Sequence, residues 1–206
     1  MMLLTVDGTN RITERAAMRA MFAARKRVFV DLLRWDIPVL DGRFEIDQFD
    51  DEHARYIIMV DPAGRHLAST RLLPTSRPGI LDSLYPELAD GPLPSGHDVF
   101  EITRFCLTPD CSAAERRTIR NQLVTAIARF ALETGIRGYT GVADMGWSRQ
   151  ILDFGWECSL LGEPKAVGST ILGALWIRID AHTLDRLAMR GVYAEVPDRL
   201  DADRAA

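Results

Sequence analysis

No apolar run in this 206-residue sequence approaches the roughly 20 residues that a membrane-crossing helix needs, so a transmembrane helix is not expected. The start, MMLLTVDGTNR, lacks the basic-then-apolar layout of a secretory signal. An excess of basic residues is also missing. The formal charge is -4, which argues against nucleic acid as the main partner, because phosphate binding needs a basic surface. Cysteine is scarce: Cys106, Cys111 and Cys158 are odd in number and have no metal-ligand spacing, as expected of reduced thiols in a cytoplasmic protein. The four histidines are scattered and none pairs at i, i+4, so no metal site is expected. Internal repeats and low-complexity linkers are absent too. What remains has the composition of an ordinary soluble chain, long enough to bury one sizeable α/β core.

Periodicity predicts a helix over 13–33, with Thr13 as its N-cap and Met18, Phe22, Phe29 and Leu32 on one apolar face. A loop over 34–52 follows. ARYIIMV and RHLASTRLL read as two strands joined by the turn DPAG, hence a hairpin. Residues 74–97 hold most of the prolines and read as a long irregular connection. DVFEITRFCL is a further strand. The next segment is a strong helix: Ser112 and Glu115 form a capping box, and Gly135 ends it. IRGYTGVAD reads as a strand, GWSRQILDFG as a short helix closed by Gly155, and STILGALWIRI as another strand. The tail DADRAA is expected to fray. Mostly antiparallel strands with helices between them suggest a layered α/β domain.

Several charges occur in apolar company. Arg25 falls on the apolar helix face between Phe22 and Phe29, where a guanidinium needs partners unless it snorkels to the surface. Asp47 and Asp50 lie three apart in RFEIDQFDDE, whereas Asp51 and Glu52 read as solvated. Arg71 sits among Leu72, Leu73 and Pro74. In FEITRF, strand alternation puts Glu101, Thr103 and Phe105 on one face and Arg104 on the other; a β-bulge would turn Glu101 and Arg104 toward one site. The bland alternative is a cross-strand ion pair on an open sheet face. Arg25, Asp47, Asp50, Arg71, Glu101 and Arg104 supply three cations and three anions, a balance that permits one mutually satisfied network able to hold a zwitterion.

The blocks RKRVFVDLLRWDI, EIDQFDDE, STRLLPT and FEITRF resemble the signature blocks of the acyl-homoserine-lactone synthases, the LuxI-type autoinducer synthases of bacterial quorum sensing. The resemblance covers roughly residues 20 to 165. It implies an α/β, N-acetyltransferase-like (GNAT-type) three-layer αβα sandwich with a mostly antiparallel mixed sheet, forming a single synthase domain over 1–206. It also implies a reaction in which the amine of S-adenosylmethionine takes an acyl group from acyl carrier protein. Lactonisation then releases methylthioadenosine, so S-adenosylmethionine is a consumed substrate and no cofactor is needed.

Under this resemblance, Arg25, Phe29, Trp35, Asp47, Asp50, Arg71 and Phe105 hold S-adenosylmethionine. Aromatic faces would meet the sulfonium or adenine, carboxylates the cationic portion, and an arginine the carboxylate. Glu101 is the expected general base, directly or through a water, with Arg104 and Asp47 as its catalytic companions. An α-amine titrates near pH 8, so freeing its lone pair at pH 7 costs only about 1.4 kcal/mol; positioning should matter more than basicity. The expected acyl-chain walls are Thr103, Leu123, Ile127, Val142, Ala143 and Trp176, each with ordinary core packing as its alternative. Ala143, aligned where the family's 3-oxo-acyl enzymes tend to carry threonine, points toward chains without a 3-oxo group.

The stretch TPDCSAAERRTIRN lacks the glycines of a coenzyme A phosphate loop, which favours a carrier-protein donor. Arg116, Arg117, Arg120 and Arg149 are candidate docking cations for that acidic partner, or else a solvated charged face; Asp153 works against docking. Acyl-CoA as the donor, a GNAT-type N-acyltransferase acting on another amine, and a ligand-binding sensor without turnover are the alternatives.

Overall fold

The computed structural model describes residues 1–196; the tail expected to fray lies outside these described residues. In chain order the elements are β1 (Met2–Val6), α1 (Arg15–Arg25), a π-helical turn (Lys26–Leu32), β2 (Val39–Leu40), β3 (Phe44–Glu45), β4 (Arg55–Val60) and β5 (His66–Pro74). Then come α2 (Ile80–Leu84), a 3-10 turn (Pro86–Leu88), β6 (Val99–Leu107), α3 (Ala113–Thr134), β7 (Gly138–Asp144) and α4 (Met145–Asp153). The last are β8 (Glu157–Leu160), β9 (Lys165–Val167), β10 (Thr170–Arg178) and α5 (Thr183–Met189). The described chain forms two compact units, one of 1–71 and 104–123 with the residues from 195 on, the other of 72–103 and 124–194.

In the first unit, β1 pairs antiparallel with β4, Leu4 facing Ile58, and β4 neighbours β5. The DPAG turn closes as expected, with Asp61 N–H donating to Arg65 O and Gly64 N–H to Asp61 O. Strand β4 is buried from Tyr56 to Val60, and Met18 and Met21 of α1 are buried as well. The helix expected over 13–33 is not one α-helix. It starts at Arg15, and Thr13 is no cap, because a backbone turn already feeds the helix start: Glu14 N–H reaches Asn10 O and Met18 N–H reaches Glu14 O. From Lys26 it widens into a π-turn, closed by Leu33 N–H to Val28 O. The wider turn breaks the 3.6-residue pattern, so Leu32, expected on the buried face, is 57% exposed.

In the second unit, β6 and β7 run parallel, with Glu101 beside Thr140. Strand β10 pairs antiparallel with β7, β8 and β9. A parallel pair needs a long crossover, and α3 lies in that connection. Its Ser112–Glu115 capping box is formed, and Gly135 follows its end at a positive φ of 72°. Successive strand residues face opposite ways. Tyr139 donates its hydroxyl to Ile127 O on α3, whereas Thr140 lines a cavity together with Leu81 of α2. Helices therefore cover both faces of β7. Residues 74–97 are not irregular throughout, since they hold α2 and the 3-10 turn. The missing signal was long-range: the first N–H groups of α2, Ile80 and Leu81, donate to the carboxylate of Glu101, 2.8 and 2.9 Å away.

Candidate active site

Three guanidiniums meet three carboxylates in the first unit. Arg25 is fully buried and does not snorkel. Its Nη1 and Nη2 grip Asp50 at 2.8 and 2.9 Å, and its Nε donates to Glu45 at 2.5 Å. Arg71, also fully buried, holds Asp47 through Nη1 and Nη2 at 2.5 and 3.0 Å, and its Nη1 lies 2.9 Å from Asp50. Arg104 bridges Glu45 at 3.1 Å and Asp47 at 2.7 Å. With side chains 11% and 5% exposed, Arg104 and Asp47 are the members of this group nearest to solvent.

Two local features build this arrangement. The pair β2–β3 sets Glu45 opposite Val39, and Asp47 lies two residues beyond Glu45. On β6, Arg104 has a φ of +51°. A left-handed backbone at a non-glycine residue costs on the order of 1–3 kcal/mol, and it breaks the alternation that would aim Arg104 away. Mutual charge also sets the protonation states. Burial alone would raise the pKa of Asp50; bonds and charge from Arg25, then the charge of Arg71, hold it well below the carboxylate range. Burial would likewise lower Arg25 and Arg71, and their carboxylate partners hold both above the ordinary value. Burial pushes Cys106 and Cys158 up to about 12, so neither supplies a thiolate near neutral pH.

The π-turn places the aromatic residues. Trp35 N–H donates to Phe29 O, which brings the indole back over the phenyl ring with centroids 4.8 Å apart and planes 11° from parallel. Phe29 is buried and lies 5.8 Å from the Arg104 guanidinium; Trp35 is 45% exposed. The stack therefore offers a supported aromatic face to a cationic or planar ligand. Phe105 is half-buried.

In the second unit, Glu101 is 3% exposed and lines a cavity of about 240 Å³ with Thr140, Gly79, Arg77, Leu81 and Leu93. Gly79 is required by close approach, since a Cβ there would lie 2.3 Å from Glu101 Oε2. The backbone N–H groups of Ile80 and Leu81 hold the two carboxylate oxygens in place beside the cavity.

The expected acyl-chain walls do not line this cavity. Leu123 and Ile127 are fully buried on α3. Val142 shares the Thr140 face but packs on Leu81, Leu88 and Ala174. Ala143 points to the opposite face by strand parity. The Trp176 ring closes over Gly138 and stacks with Arg137. Thr103 is buried, but the threonine at the cavity is Thr140. Of the four candidate docking cations, Arg116 and Arg117 are exposed at the start of α3, and Arg149 is exposed on α4 of the other unit. Arg120 is half-buried and bonds Asn121 Oδ1; burial, then the charge of Arg117, lowers its pKa.

Glu45 is the functional candidate that the sequence reading passed over. It is fully buried between Arg25 and Arg104. The signal was available, because Glu45 precedes Asp47 by only two residues in the same acidic run, RFEIDQFDDE.

Comparison with known proteins identifies the family and the fold. The family model described as autoinducer synthase matches residues 9–187. An acyl-homoserine-lactone synthase of Ralstonia nicotianae is 32% identical over 192 residues, covering 90% of this chain and 93% of its own. The solved structure of a CoA-dependent acyl-homoserine lactone synthase, BjaI, with SAM and isopentyl-CoA superposes with a TM-score of 0.86 at 26% identity, covering 96% of this chain and 92% of that one. An N-acetyltransferase from Lactobacillus plantarum, 15% identical with a TM-score of 0.55, covers 87% of this chain and all of its own; it shows the fold alone.

Proposed function

The chain belongs to the autoinducer synthase family, and from that premise we propose that it is an acyl-homoserine-lactone synthase consuming S-adenosylmethionine and an acyl thioester. The observation that carries the reading is the buried set Arg25, Arg71, Arg104, Glu45, Asp47 and Asp50, with the Phe29–Trp35 stack beside Arg104. The family match runs through residues of both compact units.

The charges of this set are already engaged with one another, which narrows what is left for substrate. Arg104 and Asp47, at the solvent edge, take the carboxylate and ammonium of S-adenosylmethionine. The open face of Trp35 takes the sulfonium or adenine. Arg25, Arg71, Asp50 and Glu45 fix these groups, and Phe105 adds apolar wall. Glu101 accepts the proton released as the amine attacks the thioester carbonyl; the carbon–sulfur bond of the thioester breaks, and the departing thiolate takes that proton from Glu101 to leave as the thiol. The carboxylate then attacks the γ-carbon, the sulfonium carbon–sulfur bond breaks, and neutral methylthioadenosine departs with its electron pair. Glu101 has only to take a proton from an amine that titrates near pH 8. Placement supplies the larger part of the rate.

The acyl group enters the cavity beside Glu101 and Thr140. The absence of a hydroxyl at position 143 no longer argues against a 3-oxo chain, because position 140 carries one at the cavity itself. The donor is an acyl thioester, of acyl carrier protein or of coenzyme A; the similarity to a CoA-dependent synthase favours the second. The reaction is assigned to the cytoplasm; among the described residues no helix is long and apolar enough to cross a membrane. The test mixes purified protein with S-adenosylmethionine and either donor, and follows thiol release, methylthioadenosine and lactone by mass spectrometry. Thiol release that ignores S-adenosylmethionine would instead identify an N-acyltransferase for another amine.

A further inference from the structure

The acidic loop that carries Asp47 and Asp50 is fastened by the segment leading into α1. Arg11 reaches across to it, with Nη1 3.1 Å from Asp50 O and Nη2 2.5 Å from Asp51 O and 3.4 Å from Ala54 O. The same Nη2 lies 3.3 Å from the Tyr56 hydroxyl, and the guanidinium sits 5.3 Å from the Tyr56 ring centre. Nearby, Gly8 lies so close to the loop that a Cβ would stand 2.8 Å from Glu52 O. Among the described residues every hydrogen-bond acceptor of Arg11 is neutral, so it ties down backbone rather than pairing a charge.

Its contact with Tyr56 has a directional consequence. A guanidinium can only donate, so the Tyr56 oxygen accepts from Arg11 and its own proton must go elsewhere. It goes to Asp50 Oδ1, 2.8 Å away. Tyr56 is fully buried, and burial, with the charge of Asp50 adding to it, raises its pKa and keeps that proton in place. Asp50 Oδ1 thus meets three donors: Arg25, Arg71 and Tyr56. Its Oδ2 accepts from Arg25 and from the backbone N–H of Asp47 at 2.9 Å, which in turn seats the edge carboxylate.

We infer that Arg11 and Tyr56 are positioning residues for the S-adenosylmethionine site, acting in series through Asp50 on Asp47. This rests on the reading that the charged cage binds S-adenosylmethionine. The test is a double-mutant cycle of Arg11→Met and Tyr56→Phe, with S-adenosylmethionine affinity read by calorimetry, the KM of the acyl donor by kinetics, and the unfolding temperature alongside. Each single change should weaken S-adenosylmethionine binding about five-fold, and the double change about five-fold in total rather than about twenty-five-fold, because the two act through one bond. The KM of the donor should not move. Should Arg11→Met fail to fold, Arg11→Lys keeps the charge, loses the planar fork and completes the cycle. Unchanged S-adenosylmethionine affinity in both singles, or independent multiplying effects in the double, would overturn the inference even if stability fell. Wild-type protein that binds no S-adenosylmethionine would overturn the functional reading and this inference with it.

Discussion

Replacing Glu45 by glutamine keeps the shape of the side chain and removes its charge. In the folded protein Glu45 is fully buried, accepts from Arg25 Nε at 2.5 Å, and lies 3.1–3.3 Å from Nη2 and Nε of Arg104. A glutamine amide has one acceptor oxygen, and its NH₂ would face one of the two guanidiniums donor to donor. At least one charge-assisted bond is lost, and Arg25 and Arg104 are left under-compensated inside the protein. Removing one partner of a buried ion pair costs about 3–5 kcal/mol; the retained acceptor places Glu45→Gln at the lower end, about 3 kcal/mol. For a chain of this size each kcal/mol lowers the melting temperature by about 2–4 °C, so a fall of roughly 6–12 °C is expected. Differential scanning calorimetry at neutral pH measures it. Asp31→Asn provides the contrast: it breaks the Lys26–Asp31 pair, whose side chains are 26% and 46% exposed, and should move the midpoint by less than about 2 °C. Equal small shifts in both variants would refute the claim that the cage is held by buried charge.

Gly79→Ala would drive a methyl group to 2.3 Å from Glu101 Oε2; steady-state assays should show turnover reduced at least about ten-fold, with S-adenosylmethionine affinity unchanged. Trp35→Ala removes the exposed half of the aromatic stack and should weaken S-adenosylmethionine binding about ten-fold by calorimetry, with little effect on melting because Trp35 is 45% exposed. Burial lowers the His66 pKa from 6.5 to about 4, while its Nε2 bonds Ser69 Oγ. Unfolded chain therefore binds a proton between those values that folded chain does not, so stability falls as pH drops from 6.5 to 4, by at most about 3 kcal/mol. His66→Gln should flatten that slope in urea titrations, leaving the further loss below pH 4 that follows as Asp50, with its depressed pKa, is protonated.

Local pattern was a sound guide wherever the deciding interaction is local. The Ser112–Glu115 box, the end at Gly135 and the DPAG turn all lie within a few residues of what they determine. It misjudged α1 because nothing nearby announces the π-turn, and it missed α2 because the carboxylate that caps it comes from β6. In sequence Glu45 is one acid among several in RFEIDQFDDE; what sets it apart is Arg25 and Arg104, brought to either side of it from α1 and β6.

The sequence by itself determined which charges had to find partners: a guanidinium among apolar residues at position 25 or 71 is intolerable alone, and the supply of carboxylates is written in the same chain. Only the tertiary structure decided which partner each one took. Pair choice depends on distances of a few ångströms between segments far apart in the chain, set here by a left-handed backbone at Arg104, a widened turn before Trp35 and a clasp at Arg11, none of which side-chain periodicity encodes.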